Sequence, residues 1–210
     1  MKRIALILVG LMGVCCASAF ASPLQDYSLG AFAVDLSLSQ LKVTSASDDW
    51  DSNYNGGFGV TAGLGGNWAL QFRNNSWSAS RSLGPTTLEL NACVNDLNLL
   101  YKLNQNFRLF VGGNKLNVTF RDLHYDRTTA QIGLVAVVKL SPKFTGWGGL
   151  STGADIFSAE AGLGYALSKH LEVNIFYTYR NYTNLEFNSA RPLRTSARVQ
   201  GVGAGITATF

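Results

Sequence analysis

Two short patterns in this chain have residue types that could do hydrolytic chemistry. Asp49-Trp50-Asp51 places two carboxylates two residues apart, and Asp122-Leu123-His124 places a carboxylate beside an imidazole at the same spacing. In such a set His124 could serve as general base, with Asp122 orienting its ring. Spacings this short also arise by chance in polar stretches, and solvated loop charges are the better account of them. Metal chemistry has less to work with. His124 and His170 are the only histidines, and Cys93 is the only cysteine beyond residue 16. No Cys/His cluster can be assembled from these, and no cofactor or metal is expected. No stripe of Arg and Lys interleaved with aromatics suggests a nucleic-acid partner. Asn117-Val-Thr119 and Asn181-Tyr-Thr183 match an N-glycosylation pattern, which we read as coincidence.

The start of the chain explains where the other cysteines lie. Lys2 and Arg3 precede an apolar run from Ile4 to Gly13, too short to span a bilayer, and Ala19-Phe20-Ala21 supplies a small-residue cleavage site. Residues 1–21 are therefore expected to be a secretory signal peptide cut after Ala21, with Ala17-Ser18-Ala19 as the second choice of site. Cys15 and Cys16 would leave with it, as would two of the positive charges. The run Met12-Gly13-Val14 before Cys15 is a poor lipidation site. The basic net charge of +4 is thus partly a property of the export signal. The remainder, 22–210, is rich in Gly and aromatics, poor in Pro and only 14% charged over the full chain, yet no stretch is uniformly hydrophobic. Apolar residues spread as every second residue suit strands with one face on lipid and the other on a polar lumen.

A short pattern recurs four times: Leu64-Gly-Gly-Asn-Trp68, Leu103-Asn-Gln-Asn-Phe107, Leu140-Ser-Pro-Lys-Phe144 and Leu167-Ser-Lys-His-Leu171. Each is a leucine, three turn-forming residues and a large apolar residue, flanked by alternating sequence, and reads as a tight β-hairpin. Around the last of them, Phe157, Ala159, Ala161, Leu163 and Tyr165 share a face with Val173, Ile175, Tyr177 and Tyr179. Phe58, Val60, Ala62 and Leu64 form another outward face, opposed by Gly57, Gly59, Thr61 and Gly63. Ile132 to Leu140 alternates outward as well, although Val135 and Val137 make its inner face apolar. The pattern predicts strands near 28–42, 56–65, 67–78, 87–103, 106–120, 129–140, 143–151, 156–167, 170–182 and 197–210. Polar loops are expected at 44–55, 79–86, 121–128, 151–155 and 183–196. The fold class is all-β: a closed antiparallel up-and-down transmembrane β-barrel of about ten strands, with eight as the rival count. In 87–103 and 106–120 the alternation changes phase near Asn95-Asp96 and Gly113-Asn114. This marks either a β-bulge or the level where the hairpin leaves the membrane.

The inferred faces turn Arg73, Asp96, Lys102, Arg108, Lys139, Glu160, Glu172 and Arg180 toward the lumen. Glu160 and Arg180 are expected to pair across the 168–170 turn, and Lys102 with Arg108 to form a basic mouth. Mixed charge in a narrow barrel predicts a paired, solid interior. The inward Gly and Thr of 56–65 and 197–210 argue instead for a slender water path. Trp68, Tyr101, Phe107, Phe144, Tyr165 and Phe210 near the turns, with Trp77, Phe120, Phe157 and Tyr179 higher up, would form two aromatic girdles.

The last strand carries Val202, Ala204, Ile206, Ala208 and a terminal Phe210 on one face. This resembles the sorting signal of bacterial outer-membrane barrels, with Ala208 standing where an aromatic is usual. The segment Ser22-Pro-Leu-Gln-Asp-Tyr-Ser-Leu-Gly30 followed by Val34-Asp-Leu36 resembles small YfaZ-like outer-membrane proteins. The whole of 22–210 is similar in architecture to the OmpA/OmpX-type barrel superfamily. These resemblances imply the outer membrane as location, lipid and lipopolysaccharide as surroundings, the barrel-assembly machinery as a biogenesis partner, and a monomer. They imply little chemistry. The omptin proteases place Asp-x-Asp and Asp-x-His pairs on facing loops, which Asp49, Asp51, Asp122 and His124 match in spacing only, since the surrounding motifs are missing. The His-x-Ser pair of lipid A deacylases is absent, because Leu171 and Glu172 follow His170. The expected function is a non-enzymatic outer-membrane barrel, structural or a small non-specific pore. The second reading is a loop-mediated adhesin or ligand-binding barrel, and the third an omptin-type protease.

Overall fold

The computed structural model describes residues 23–210 apart from 46–47, 53, 84–85, 121–122 and 188–192. The expected signal peptide, 1–21, lies outside the described residues. Within them the chain forms β1 (Phe32–Ser45), β2 (Asp48–Ser52), β3 (Tyr54–Gly65), β4 (Trp68–Leu83), β5 (Thr86–Lys102), β6 (Phe107–Phe120), β7 (Leu123–Lys139), β8 (Phe144–Gly153), β9 (Ile156–Ala166), β10 (Leu171–Phe187) and β11 (Leu193–Thr209). Each pairs antiparallel with its neighbour. β2 and β3 both lie between β1 and β4, so together they make a single stave. β11 closes onto β1 from Ala33↔Thr209 to Ser45↔Ala197. The result is a closed barrel of ten staves, as the alternation predicts, and closure leaves no sheet edge for lipid to meet unpaired.

All four leucine turns are present. In three of them the leucine amide donates to the carbonyl four residues on: Leu103 to Phe107 at 3.0 Å, Leu140 to Phe144 at 2.9 Å and Leu167 to Leu171 at 2.9 Å. The fourth turn, 64–68, uses Gly65, Gly66 and Asn67 at positive φ, a conformation that Gly and Asn tolerate better than other residues. Phe210 and Phe32 exchange backbone hydrogen bonds at 2.8 and 3.1 Å and stack their rings 4.6 Å apart, so the closing seam sits at the level of these turns. Short turns and chain ends on one side mark that side as periplasmic.

The outer wall carries an apolar band. On β10 it runs from Leu171 to Tyr179, and Ile175 there is 62% exposed. Nine residues at about 3.4 Å each, tilted by about 40°, cover roughly 20 Å of bilayer. Val202, Ala204, Ile206, Ala208 and Phe210 face lipid in the same band on β11. Ring pairs Trp68–Tyr101 and Phe144–Tyr165 stand at its periplasmic rim, and Phe157–Tyr179 at the opposite rim.

Three expectations need correction. The predicted loops are largely strand: β4 reaches Leu83, β7 begins at Leu123, and β10 and β11 extend to Phe187 and from Leu193. Segments rich in Ser, Asn and Asp read as loops because their outward face meets water above the membrane. The alternation is nevertheless still present, with its sign reversed. The phase change in β5 and β6 is this reversal. Pairing runs unbroken from Leu90↔Phe120 to Lys102↔Arg108, which excludes a bulge there. Below Asp96 the outward residues are Leu97, Leu99 and Tyr101; above it they are Asn95, Cys93 and Asn91, while Val94 and Ala92 turn inward and are buried. For the same reason Trp77 and Phe120 are not girdle residues. Trp77 is buried inside the barrel, and Phe120 meets Trp50 edge-on at 5.9 Å.

The inward glycines do not leave open space. A Cβ on Gly133, Gly162 or Gly203 would run into the rings of Phe110, Trp147 and Phe176 respectively. These aromatics fill the periplasmic half of the lumen together with Leu24, Tyr27, Leu100, Val135 and Val137. Gly162→Val is therefore expected to lower barrel stability by about 1–3 kcal/mol. Urea titration followed by the gel-mobility difference between boiled and unboiled samples measures it. Identical mobility of boiled and unboiled wild type would count against the barrel itself.

Candidate functional site in the barrel interior

Alternation turns every second residue inward, and in a closed barrel inward side chains from distant staves meet. Arg73, Asp96, Glu160 and Arg180 come from β4, β5, β9 and β10 and assemble at one level. Asp96, only 1% exposed, accepts from Arg180 Nη2 at 3.0 Å and from Asn114 Nδ2 at 2.6 Å. Gln131 Nε2 adds a bond at 3.3 Å, and Arg73 Nη2 lies 3.7 Å away. Arg73 donates its other terminal nitrogen to both oxygens of Glu160, at 3.1 and 3.3 Å. The belt continues around the wall as Gln131 donates to Asn98, Asn98 to Gln71 and Gln71 to Thr61. Two arginines thus face two carboxylates, with a third, the buried Asp35, lining the same cavity as Arg73 and Glu160, and partners from facing staves bind what an apolar lumen could not.

Glu160 and Arg180 were expected to pair with each other. They are near neighbours in the ladder, with Thr178↔Glu160 and Arg180↔Ser158. Instead each arginine reaches across the lumen, Arg180 to Asp96 and Arg73 to Glu160. Closure brings the inward side chains of distant staves within reach of one another, which a strand ladder does not reveal.

The other lumen candidates sit toward the periplasmic end. Lys102 and Arg108 face each other in the register but do not form a free basic mouth. Lys102 Nζ donates to the Gln25 carbonyl at 2.9 Å, and Arg108, 1% exposed, lies beside the Tyr27 hydroxyl. They clamp the segment before β1, whose Leu24 and Tyr27 are buried in the lumen. That segment is fastened further by the Gly65 amide to the Tyr27 carbonyl at 2.9 Å and the Gly63 amide to the Ala31 carbonyl at 2.7 Å. A cap with Asp26 holds its shape: the Ser28 amide and hydroxyl donate to this carboxylate and keep it below the usual carboxylate range. Lys139 and Glu172 line the periplasmic vestibule, a cavity of about 690 Å³. The plug was missed in the sequence, where 28–31 read as the start of a strand; buried Leu24 and Tyr27 in a segment without alternation were the available signal.

Of the hydrolytic pattern, the side chains of Asp49 and His124 are described, and both face outward. Asp49 faces the outside of the barrel, where Lys42 and the Thr44 hydroxyl bind it and hold its carboxyl below the usual range. His124 also faces outward, on β7, with its Nδ1 3.3 Å from the Thr119 hydroxyl. Asp122 and the Asp51 side chain lie outside what the structure describes. Among the described residues, no group of three or more metal-ligating side chains converges.

A closed ten-stave barrel with a lipid-facing band, short turns on the side of the chain end and a polar belt at mid-depth defines an integral membrane barrel. The chain belongs to the outer membrane protein beta-barrel domain family, whose profile matches residues 7–208. No curated protein matches it in sequence. Among solved structures, it is similar to the outer membrane protease OmpT from Escherichia coli, at 12% identity and TM-score 0.56, covering 86% of this chain and 97% of that one. Neisserial surface protein A follows at 12% identity and TM-score 0.47, covering 86% and 99%. Ail, the attachment invasion locus protein of Yersinia pestis, matches at 10% identity and TM-score 0.39, covering 85% and 99%. At such identities the likeness is one of fold. The protein is an integral β-barrel of the bacterial outer membrane.

Asp96→Ala is expected to destabilise the barrel by about 3–5 kcal/mol, because it removes the carboxylate partner of the buried Arg180 guanidinium, while Arg73 keeps Glu160. Urea unfolding in lipid vesicles reads this. A loss no larger than that of an exposed pair such as Lys115–Asp126, tested with Asp126→Ala, would remove the belt's structural role.

Proposed function

We propose that the protein is a non-enzymatic, closed barrel, structural in the membrane and acting through its extracellular end, rather than an open pore. One observation carries this reading. At the level of the belt a cavity of only about 20 Å³ lies among Pro23, Asp35, Gln71, Arg73, Phe110 and Glu160. That is room for about one water. The ionic belt, the aromatics over the inward glycines and the buried Leu24 and Tyr27 all project into the lumen around it. Its surroundings would be outer-membrane lipid and lipopolysaccharide, with assembly by the barrel-assembly machinery and a monomeric final state. The finer kinship with YfaZ-like proteins rests on Ser22–Gly30 and Val34-Asp35-Leu36.

A loop-mediated ligand-binding role is the second reading, favoured by a separate observation. The staves continue above the lipid band and enclose an apolar cluster of their own, including Val43, Trp77, Leu116, Tyr182 and Val199. A purely structural barrel has no need of a second core outside the membrane. Asp49 and His124, both turned outward, do not support the protease reading.

Planar-bilayer recording of refolded protein tests the closed lumen. Wild type is expected to give no discrete current steps, whereas Leu24→Asp combined with Tyr27→Ala, which loosens the plug, should give intermittent ones. Regular steps from wild type would restore the small-pore reading. Peptide cleavage by wild type that disappears in His124→Ala would overturn the non-enzymatic one.

A further inference from the structure

The extracellular cluster is not solid. It surrounds a cavity of about 250 Å³ whose wall includes Trp50, Trp77, Leu116, Phe120, Tyr182 and Ala197. Trp50 and Phe120 meet edge to face across its rim, at an interplanar angle of 83°. Among the described lining residues the only hydroxyls besides that of Tyr182 are those of Ser45 and Thr195, 3.3 Å from each other and so already partnered. The floor is the ionic belt: Tyr182 lies two residues from Arg180 on the same inward face of β10, and Arg180 is bound to Asp96.

We infer that this cavity is a binding site for a small neutral aromatic molecule of one or two rings, taken from the outside medium. Size sets the first limit. A cavity of about 150 Å³ accommodates benzene and drug-sized sites begin at about 300 Å³, so this one suits roughly six to twelve carbons. Lining chemistry sets the second: four aromatic side chains offer ring edges and faces, and among the described residues no charged side chain lines the wall. Location sets the third. The cavity lies inside the barrel at a level where the outer wall carries Ser76, Ser78, Asn91 and Asn117, so a lipid acyl chain does not reach it through the wall. An apolar cavity facing water gains from any such occupant, because solute and wall both shed water. The inference rests on the closed-barrel reading only in that the belt gives the cavity a floor; the bound molecule is held, not conducted.

Heavy-atom quenching by bromobenzene tests it. The background is Trp68→Phe, which removes the lipid-facing indole and leaves Trp50 and Trp77 at the cavity with Trp147 below the belt. Refolded into vesicles, this protein is expected to show saturable quenching that leaves the Trp147 contribution intact. Ala197→Phe, which fills the cavity, should raise the midpoint by about tenfold or more. Leu116→Trp, scored by loss of saturation, serves if the first variant fails to fold by gel mobility. Quenching that grows linearly with probe, or a midpoint unmoved in both folded variants, would mean partition into lipid only and overturn the site. Vesicles of brominated phospholipid form the second arm: quenching of Trp50 and Trp77 by the lipid alone would make the occupant an acyl chain and overturn the inference equally. Saturable quenching by a barrel that also conducts would sink the closed-lumen reading and leave this one standing.

Discussion

The interior of this barrel is organised around one buried carboxylate. Asp96 gathers Arg180, Asn114 and Gln131 at hydrogen-bond distance and holds Arg73 nearby, and Arg73 in turn fastens Glu160. These partners come from β4, β5, β6, β7, β9 and β10, so one acid ties together most of the circumference at mid-depth. Charges taken out of water stabilise a fold only when each is matched, and an unmatched one here would be costly. The belt therefore demands correct closure: a stave slipped by one residue would turn its member of the belt toward lipid.

The belt also divides the lumen into two compartments with different chemistry. Below it, aromatic rings lie over glycines and the segment carrying Leu24 and Tyr27 seals the periplasmic side. Above it the walls change sign. Inward residues become apolar and outward ones polar, because the surroundings outside the staves pass from lipid to water. One alternation along each strand thus serves two solvents. Arg127 bound to Asp155, with Asn184 donating to the same carboxylate at 2.9 Å, ties the β8–β9 turn to β10 at this upper level. Such ties keep the extracellular extension ordered around its cavity.

Much of the candidate interior was legible in the sequence, and the missing part has a common cause. Arg73, Asp96, Glu160 and Arg180 could be assigned to the inner face from period-2 counting out of the leucine turns, since that needs only local geometry. Their partners could not, because Arg180 and Asp96 are 84 positions apart in sequence and meet only when the barrel closes. The glycines of β9 and β11 illustrate the same limit. Their inward direction followed from alternation, but whether they bordered water or a ring depended on Trp147 and Phe176 from neighbouring staves. Trp77 and Phe120 were misplaced for a different reason. The alternation runs through a level where the solvent outside changes, and an apolar inward residue above it looks like an outward one below it.

By itself the sequence determined the staves at membrane level, their antiparallel order, the four periplasmic turns and most of the lipid-facing residues. Each of these follows from short-range backbone preference and from alternation against a bilayer. Closure at ten staves, the pairing of charges across the lumen, the plug before β1 and the apolar chamber above the belt were decided by tertiary structure. These are contacts between residues distant along the chain, and their energies depend on what occupies the opposite wall.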